Sequence, residues 1–178
     1  MKRLLMISCL ATLIACNSAD TGQKTETSSD SKTAIPTMPY TLDKPYKNWQ
    51  PGDQQNALMV MNSLKAWENG DINKSMEAFA DTVEVHFDNW AGKYSKDSLA
   101  KQFATFRNSL ASVSIHMDDW ESVIAEDKSE QWVTMWYKET STDKMGKTDS
   151  VMFVTDAGIV NGKIAILNEA MRRFPAKN

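Results

Sequence analysis

Apolar positions along the chain fall into two periodicities, and these divide it into helices first and strands afterwards. After Gly52-Asp53, the residues Ala57, Leu58, Met61, Leu64 and Trp67 recur at threes and fours, predicting an amphipathic helix. Asp53 is its expected N-cap, and Asn69-Gly70 its expected end. Asp71 is placed to cap a shorter second helix with Ile72, Met76 and Phe79 on one face. Val83, Val85 and Phe87 then alternate with Glu84, His86 and Asp88, the two-residue period of a strand. Asn89 to Tyr94 reads as a loop. A third helix starts over Ser95 to Asp97, with Leu99, Phe103, Phe106 and Leu110 spaced four, three and four apart.

From there the period returns to two. Val113, Ile115 and Met117 alternate with Ser114, His116 and Asp118, and the apolar theme resumes at Trp120, Val123 and Ile124. Further strands are predicted over 132–139, 149–156 and 163–168, with Asn161-Gly162 as a type I′ hairpin turn between the last two. The plan is α+β: three helices interleaved with one strand, then an antiparallel meander, the helices lying on one face of a curved sheet. In the 132–138 strand, Val133, Met135 and Tyr137 occupy one face and Trp132, Thr134, Trp136 and Lys138 the other. A strand wetted on one side lacks apolar residues on both, so the second face is expected to line a cavity or meet a partner.

The region before residue 52 is of another kind. Lys2 and Arg3 precede a short apolar run, Leu4 to Ala15, too short for the ~20 residues of a spanning helix. It ends in Leu13-Ile14-Ala15-Cys16, which resembles the lipobox of bacterial lipoprotein signal peptides. That resemblance implies cleavage before Cys16, whose thiol then carries a diacylglyceryl group. The alternative is an ordinary secretory signal, since Cys9 also lies in the apolar run. Removing residues 1–15 leaves 163 of the 178 and no free cysteine. Residues 17–37 are polar and expected to form a tether, too poor in apolar side chains to offset ordering entropy. Tyr40, Tyr46 and Trp49 are expected to dock onto the domain. The organisation read from this is a signal at 1–15, lipidated Cys16 with its tether to 37, and one domain over 38–178. Asn17 after Cys16, in place of the aspartate that favours inner-membrane retention in enteric bacteria, points to the outer membrane.

Composition narrows the partners. The whole chain carries 20 basic and 23 acidic residues, a net charge of −3, without the basic excess of a nucleic-acid binder. Two histidines and two cysteines leave little for a metal cluster, and no cofactor is implied. Phosphate loops, GxSxG elbows, HExxH helices and paired CxxC motifs are all missing from the sequence.

Several runs resemble the SnoaL-like branch of nuclear transport factor 2-like domains. Ala66-Trp67-Glu68-Asn69-Gly70-Asp71, followed by Met76 to Val83, is similar to the opening of that family. Gly92-Lys93-Tyr94-Ser95-Lys96-Asp97-Ser98-Leu99 resembles the lead into its third helix, and Asp156 to Ile166 its last hairpin. The resemblance covers about residues 53–174. It implies a cone: a strongly curved, mostly antiparallel sheet wrapped around three helices, a pocket at the wide end, and homodimers through the outer sheet face. It also implies that any chemistry is acid–base catalysis by a few polar groups in an apolar cone.

The candidates for that chemistry are His86, Asp88, His116, Asp118, Asp119 and Tyr137. His86 with Asp88, and His116 with Asp118, have the i, i+2 spacing that puts an imidazole and a carboxylate on one strand face, roughly 7 Å apart by strand rise. The competing reading makes both pairs the solvent side of half-buried strands. Trp90, Trp120, Trp136 and Tyr137 are candidates for lining a ligand pocket. Other departures matter: the predicted helices hold no tyrosine for the steroid-isomerase arrangement, and Arg107, Arg172 and Arg173 do not sit where the epoxide-hydrolase Asp-Arg-Asp set needs one. Tyr137, His86 and His116 only loosely imitate the scytalone dehydratase set. Three functions remain open: a cone binding a small, largely apolar ligand, a His/Asp acid–base enzyme, and a homodimeric interaction module whose cone is filled by Trp67, Phe103, Phe106 and Trp136.

Overall fold

A computed structural model describes residues 38–88 and 90–174. The expected signal, Cys16 and the tether lie outside the described residues. Residues 42–174 form the folded unit. Its elements are β1 (Gln50–Pro51), α1 (Gln54–Glu68), α2 (Ile72–Met76), β2 (Phe79–Phe87), β3 (Trp90–Ser95), α3 (Lys96–Ser109), β4 (Leu110–Ile124), β5 (Gln131–Asp143), β6 (Thr148–Val160) and β7 (Lys163–Arg173).

The helix ends form as their residues dictate. Asp53 accepts from the Gln55 amide, Asp71 from that of Lys74, and Ser95 from that of Ser98, so each helix has a side-chain N-cap. Gly70 closes α1 with φ +83°, a conformation glycine adopts without a Cβ penalty. Asn161 and Gly162 both take positive φ (52° and 70°), as the type I′ turn requires.

The seven strands form one sheet in the order β1-β4-β5-β6-β7-β2-β3. All neighbours are antiparallel except β2 and β7. That parallel pair sets the last strand of the meander beside β2, and β1 and β3 remain the two edges of the open sheet. The core lies between the helices and one sheet face, around Ala57, Val60, Leu99, Val83, Val85, Val133, Met135 and Leu167.

Four expectations are corrected. Trp90–Ser95 is not a loop but strand β3, paired with β2 from Thr82↔Ser95 to Phe87↔Trp90; its alternation of half-buried Trp90, Gly92 and Tyr94 is interrupted by a glycine and hence faint. Phe79 begins β2 rather than ending α2. Tyr46 is exposed and Trp49 only half-buried, so the aromatic lead-in does not dock as a block. Leu110 begins β4 and is not on the face of α3. Residues 110–124 form one continuous strand, β4, with a register shift between Met117 and Asp119.

Candidate functional site

Strand register assigns every side chain of β4–β7 to one of two faces. Across β5, β6 and β7 the inward ranks are Val133↔Ala157↔Leu167, Met135↔Thr155↔Glu169, Tyr137↔Phe153↔Met171 and Glu139↔Val151↔Arg173. Burial falls along these ranks. Val133 and Ala157 are completely enclosed, and Met135, Thr155 and Tyr137 nearly so, whereas Phe153, Glu139, Glu169 and Met171 are half-buried. On β4, Ile115 and Met117 pair with Glu139 and Tyr137 and are likewise half-buried. The sheet's inner face is therefore sealed by the helices at one end and accessible at the other, while its lining stays largely apolar.

At this open end three polar side chains converge. Tyr137 and Thr155 hydroxyls lie 3.2 Å apart, and each approaches Glu169 Oε2 at 3.5 Å. Tyr137 stacks on Phe153 with centroids 5.4 Å apart and 27° between planes. Burial pushes the Glu169 carboxyl up to about 7, with the nearby Glu139 charge acting in the same direction. Burial does the same to Glu139, also to about 7, against the opposing pull of Arg107. Burial likewise raises the Tyr137 phenol well above its ordinary value. Chemically, the group is a pair of carboxyls able to hold or release protons near neutrality, with a neutral phenol beside one of them.

Arg107 of α3 is held close by. Its Nε and Nη2 donate to the Trp67 and Glu68 carbonyls at 3.2 and 2.9 Å, capping the end of α1. Glu68 Oε1 accepts from the Ile115 amide (3.1 Å), while its Oε2 pairs with Lys65 at 2.6 Å.

The residues singled out from sequence are placed differently. His86 is exposed and its Nε2 lies 2.9 Å from Glu84 Oε1, so its carboxylate partner is Glu84 and not Asp88. Asp88 sits in the turn after β2, exposed, near enough to Glu169 for its charge to be felt there. His116 and Asp118 do approach, at 3.8 Å, with both side chains largely in solvent. Asp119 accepts from the Trp120 amide. His86 and His116 are on the outer face, in register with Asn168 and Lys138. Trp136 is also on the outer face, beside Val154 and Ala170. Trp120 is exposed. Trp90 donates to the Tyr94 hydroxyl at 2.5 Å and meets Phe87 edge-on, packing against the core. Tyr137 alone among these lies in the polar cluster. Of the four residues expected to fill the cone, Phe103 packs into the core, Phe106 is exposed and stacks on Trp67, and Trp136 faces outward. The inner face toward its accessible end is lined instead by Tyr137, Phe153, Ile115 and Met117.

Two concavities lie away from the cluster. One, of about 720 Å³, runs along α1 and α2 past Leu58, Asn62, Lys65, Lys74 and Lys163. The other, about 470 Å³, lies on α3 beside Phe106. Among the described residues, no group of three or more His, Cys, Asp or Glu side chains is arranged to hold a metal ion.

An NTF2-like protein of unknown function from Burkholderia pseudomallei K96243 superposes with a TM-score of 0.55 at 15% identity, covering 66% of this chain and 90% of that one. The chain has the nuclear transport factor 2-like fold. Other proteins similar to it are a SnoaL-like polyketide cyclase candidate from Jannaschia sp. CCS1 and an LEH-like epoxide hydrolase from M. tuberculosis. The first has a TM-score of 0.56 at 13% identity, covering 68% and 88% of the two chains. The second has a TM-score of 0.53 at 11% identity, covering 67% and 84%. No protein-family model and no curated protein matches the sequence. The nuclear transport factor 2-like cone thus supplies the geometry here, while the Tyr137–Thr155–Glu169 cluster is read from this chain's own residues.

Proposed function

We propose that this chain is an exported protein, lipid-anchored at Cys16 in the bacterial cell envelope on the outer membrane, whose cone binds a small, largely apolar molecule at its open end. The observation that carries the reading is the loss of burial along an inner face that stays apolar: Ile115, Met117, Phe153 and Met171 remain partly accessible. Isolated exposed apolar residues are ordinary, but a concave apolar set with a few converging polar groups is how small-molecule sites are built. Glu169, positioned by the enclosed Tyr137 and Thr155 hydroxyls, would orient the ligand's polar end. Solved proteins of the same fold that include an epoxide hydrolase and a polyketide cyclase candidate are in keeping with a small organic ligand.

The second reading is acid–base catalysis on that ligand, favoured by a carboxyl held near 7 beside a phenol and a hydroxyl. Glu169, rather than His86 or His116, is then the proton carrier. The outer face, with Trp136, Val154 and Ala170 side by side, supports homodimerisation. One experiment tests these points together: mass spectrometry of the protein extracted gently from cell membranes. The expected result is a chain lacking residues 1–15, acylated on Cys16, present as a dimer under native conditions, with additional mass that Met117→Trp removes by filling the open end. An unmodified Cys16 refutes the anchor. Bare mass, with no small apolar compound retained on subsequent incubation, refutes the binding cone.

A further inference from the structure

Resting on that reading of the cone, we infer that its ligand carries a positive charge: the open end takes an organic cation whose ammonium group sits near Glu139 and Glu169 and whose hydrocarbon body lies on the half-buried Phe153, Ile115 and Met117. The argument starts from which groups face the cleft. Glu139 and Glu169 approach from β5 and β7, on either side of the stacked Tyr137 and Phe153 rings, and Asp88 stands at the end of β2 within reach of Glu169. From the helices come Glu68 and Arg107, the first already paired with Lys65 and the Ile115 amide. Lys138, the next residue back along β5, pairs with His116 on the outer face.

Two cations belong to this side of the sheet among the described residues: Arg107, whose charge acts on Glu139 but which has two nitrogens committed to the Trp67 and Glu68 carbonyls, and Arg173, in the rank of Glu139, which is exposed and paired with Asp149 at 2.7 Å. Glu139 has no hydrogen-bond or ion-pair partner among the described residues. No fully enclosed side-chain oxygen or nitrogen lacks a partner there, so its carboxyl keeps some contact with solvent. An apolar lining that holds an unpaired carboxyl disfavours a ligand with no complementary charge, because it would bury the carboxyl further with nothing to replace its water. An anion would add repulsion from Glu139, Glu169 and Asp88. An ammonium ion offsets the repulsion between the two glutamates, gives the partnerless Glu139 a charge-assisted hydrogen bond, and gains from the accessible part of the Phe153 ring. Because both carboxyls titrate near neutrality, uptake of a cation must also expel protons.

The test is calorimetric titration of the full chain with 2-phenylethylammonium and with 2-phenylethanol, which share a hydrocarbon body and differ in charge. At pH 8 the amine is expected to bind at least about tenfold more tightly than the alcohol, since both glutamates are then largely ionised. At pH 6 its affinity is expected to drop about tenfold, and near pH 7 binding is expected to release protons, read by repeating the titration in buffers of different ionisation enthalpy. The double variant Glu139→Gln, Glu169→Gln is expected to bring amine and alcohol to within about threefold of each other, with alcohol binding reporting that the fold is intact. Equal affinities in the native chain, or a preference that survives in the variant, overturn the cationic ligand and leave the cone standing. Failure of both probes to bind overturns the cone reading and this inference with it.

Discussion

Replacing Glu169 with Gln is expected to make the protein more stable above neutrality and to flatten its stability against pH. Folded, the Glu169 carboxyl holds its proton up to about 7, where an unfolded chain releases it near the ordinary 4.5. Between those values the folded state binds more protons than the unfolded one, so stability falls as pH rises through that window and stays lower above it. At about 1.4 kcal/mol per pH unit the full difference is worth roughly 3 kcal/mol. Because Glu169 is half-buried and part of the effect comes from Glu139, about 1–3 kcal/mol is the working range. Gln keeps the shape and carries no titrating proton. Urea unfolding followed by tryptophan fluorescence at pH 5, 6, 7 and 8 reads this directly. With a slope of about 1–3 kcal/mol per molar urea, the native midpoint should drop by about 1 M across the range and that of the variant by visibly less. Asp127 and Glu130, held low by hydrogen bonds from Ser129 and Lys47 respectively, change stability only below this window. A native chain with no slope between pH 5 and 8, or a variant with an unchanged slope, refutes the buried-carboxyl argument.

Two further outcomes test the framework around the site. Leu99→Ala, in a position with no exposed surface where α3 meets the sheet, is expected to cost about 2–5 kcal/mol in the same urea assay; a loss under 1 kcal/mol would mean α3 is not seated as described. Arg107→Ala frees the Trp67 and Glu68 carbonyls and is expected to cost about 1–3 kcal/mol. It also removes the charge that pulls the Glu139 titration down, so the carbon-13 shift of that carboxyl should titrate at higher pH than in the native chain.

The helical half of the fold was legible because capping and glycine termination are local chemistry: Asp53, Asp71, Ser95 and Gly70 each act through backbone groups within three residues. The last hairpin was legible for the same reason, through Asn161-Gly162. Strand β3 was missed because it is six residues long and holds Gly92 at its centre, which erases half of a period-two signal. The fusion of 110–124 into one strand was blurred by the register shift after Met117, which moves Trp120 into register with Met135. None of this depended on distant contacts. What did was the parallel β2–β7 pairing, which joins residues some eighty apart and leaves no local trace.

The site was legible in principle, from a signal opposite to the one that drew attention to the histidines. On a strand whose apolar residues face the core, polar residues in the alternate phase point to solvent. His86 between Val85 and Phe87, and His116 between Ile115 and Met117, obey that rule and are exposed accordingly. Their carboxylate neighbours are what a wetted face supplies. The informative residues are those that break the rule: Glu139 continues the phase of Val133, Met135 and Tyr137, Glu169 that of Leu167 and Met171, and Thr155 that of Ala157 and Phe153. A carboxyl in the apolar phase must be either paid for by a partner or kept near a cleft, since burial without either costs several kcal/mol. Three such residues on adjacent strands, two of them in direct register, mark where an apolar interior was given something polar to hold. Sequence alone could give their phase, but that Thr155 and Glu169 meet across β6 and β7, with the Tyr137 hydroxyl reaching both from β5, comes only from the register of the folded sheet.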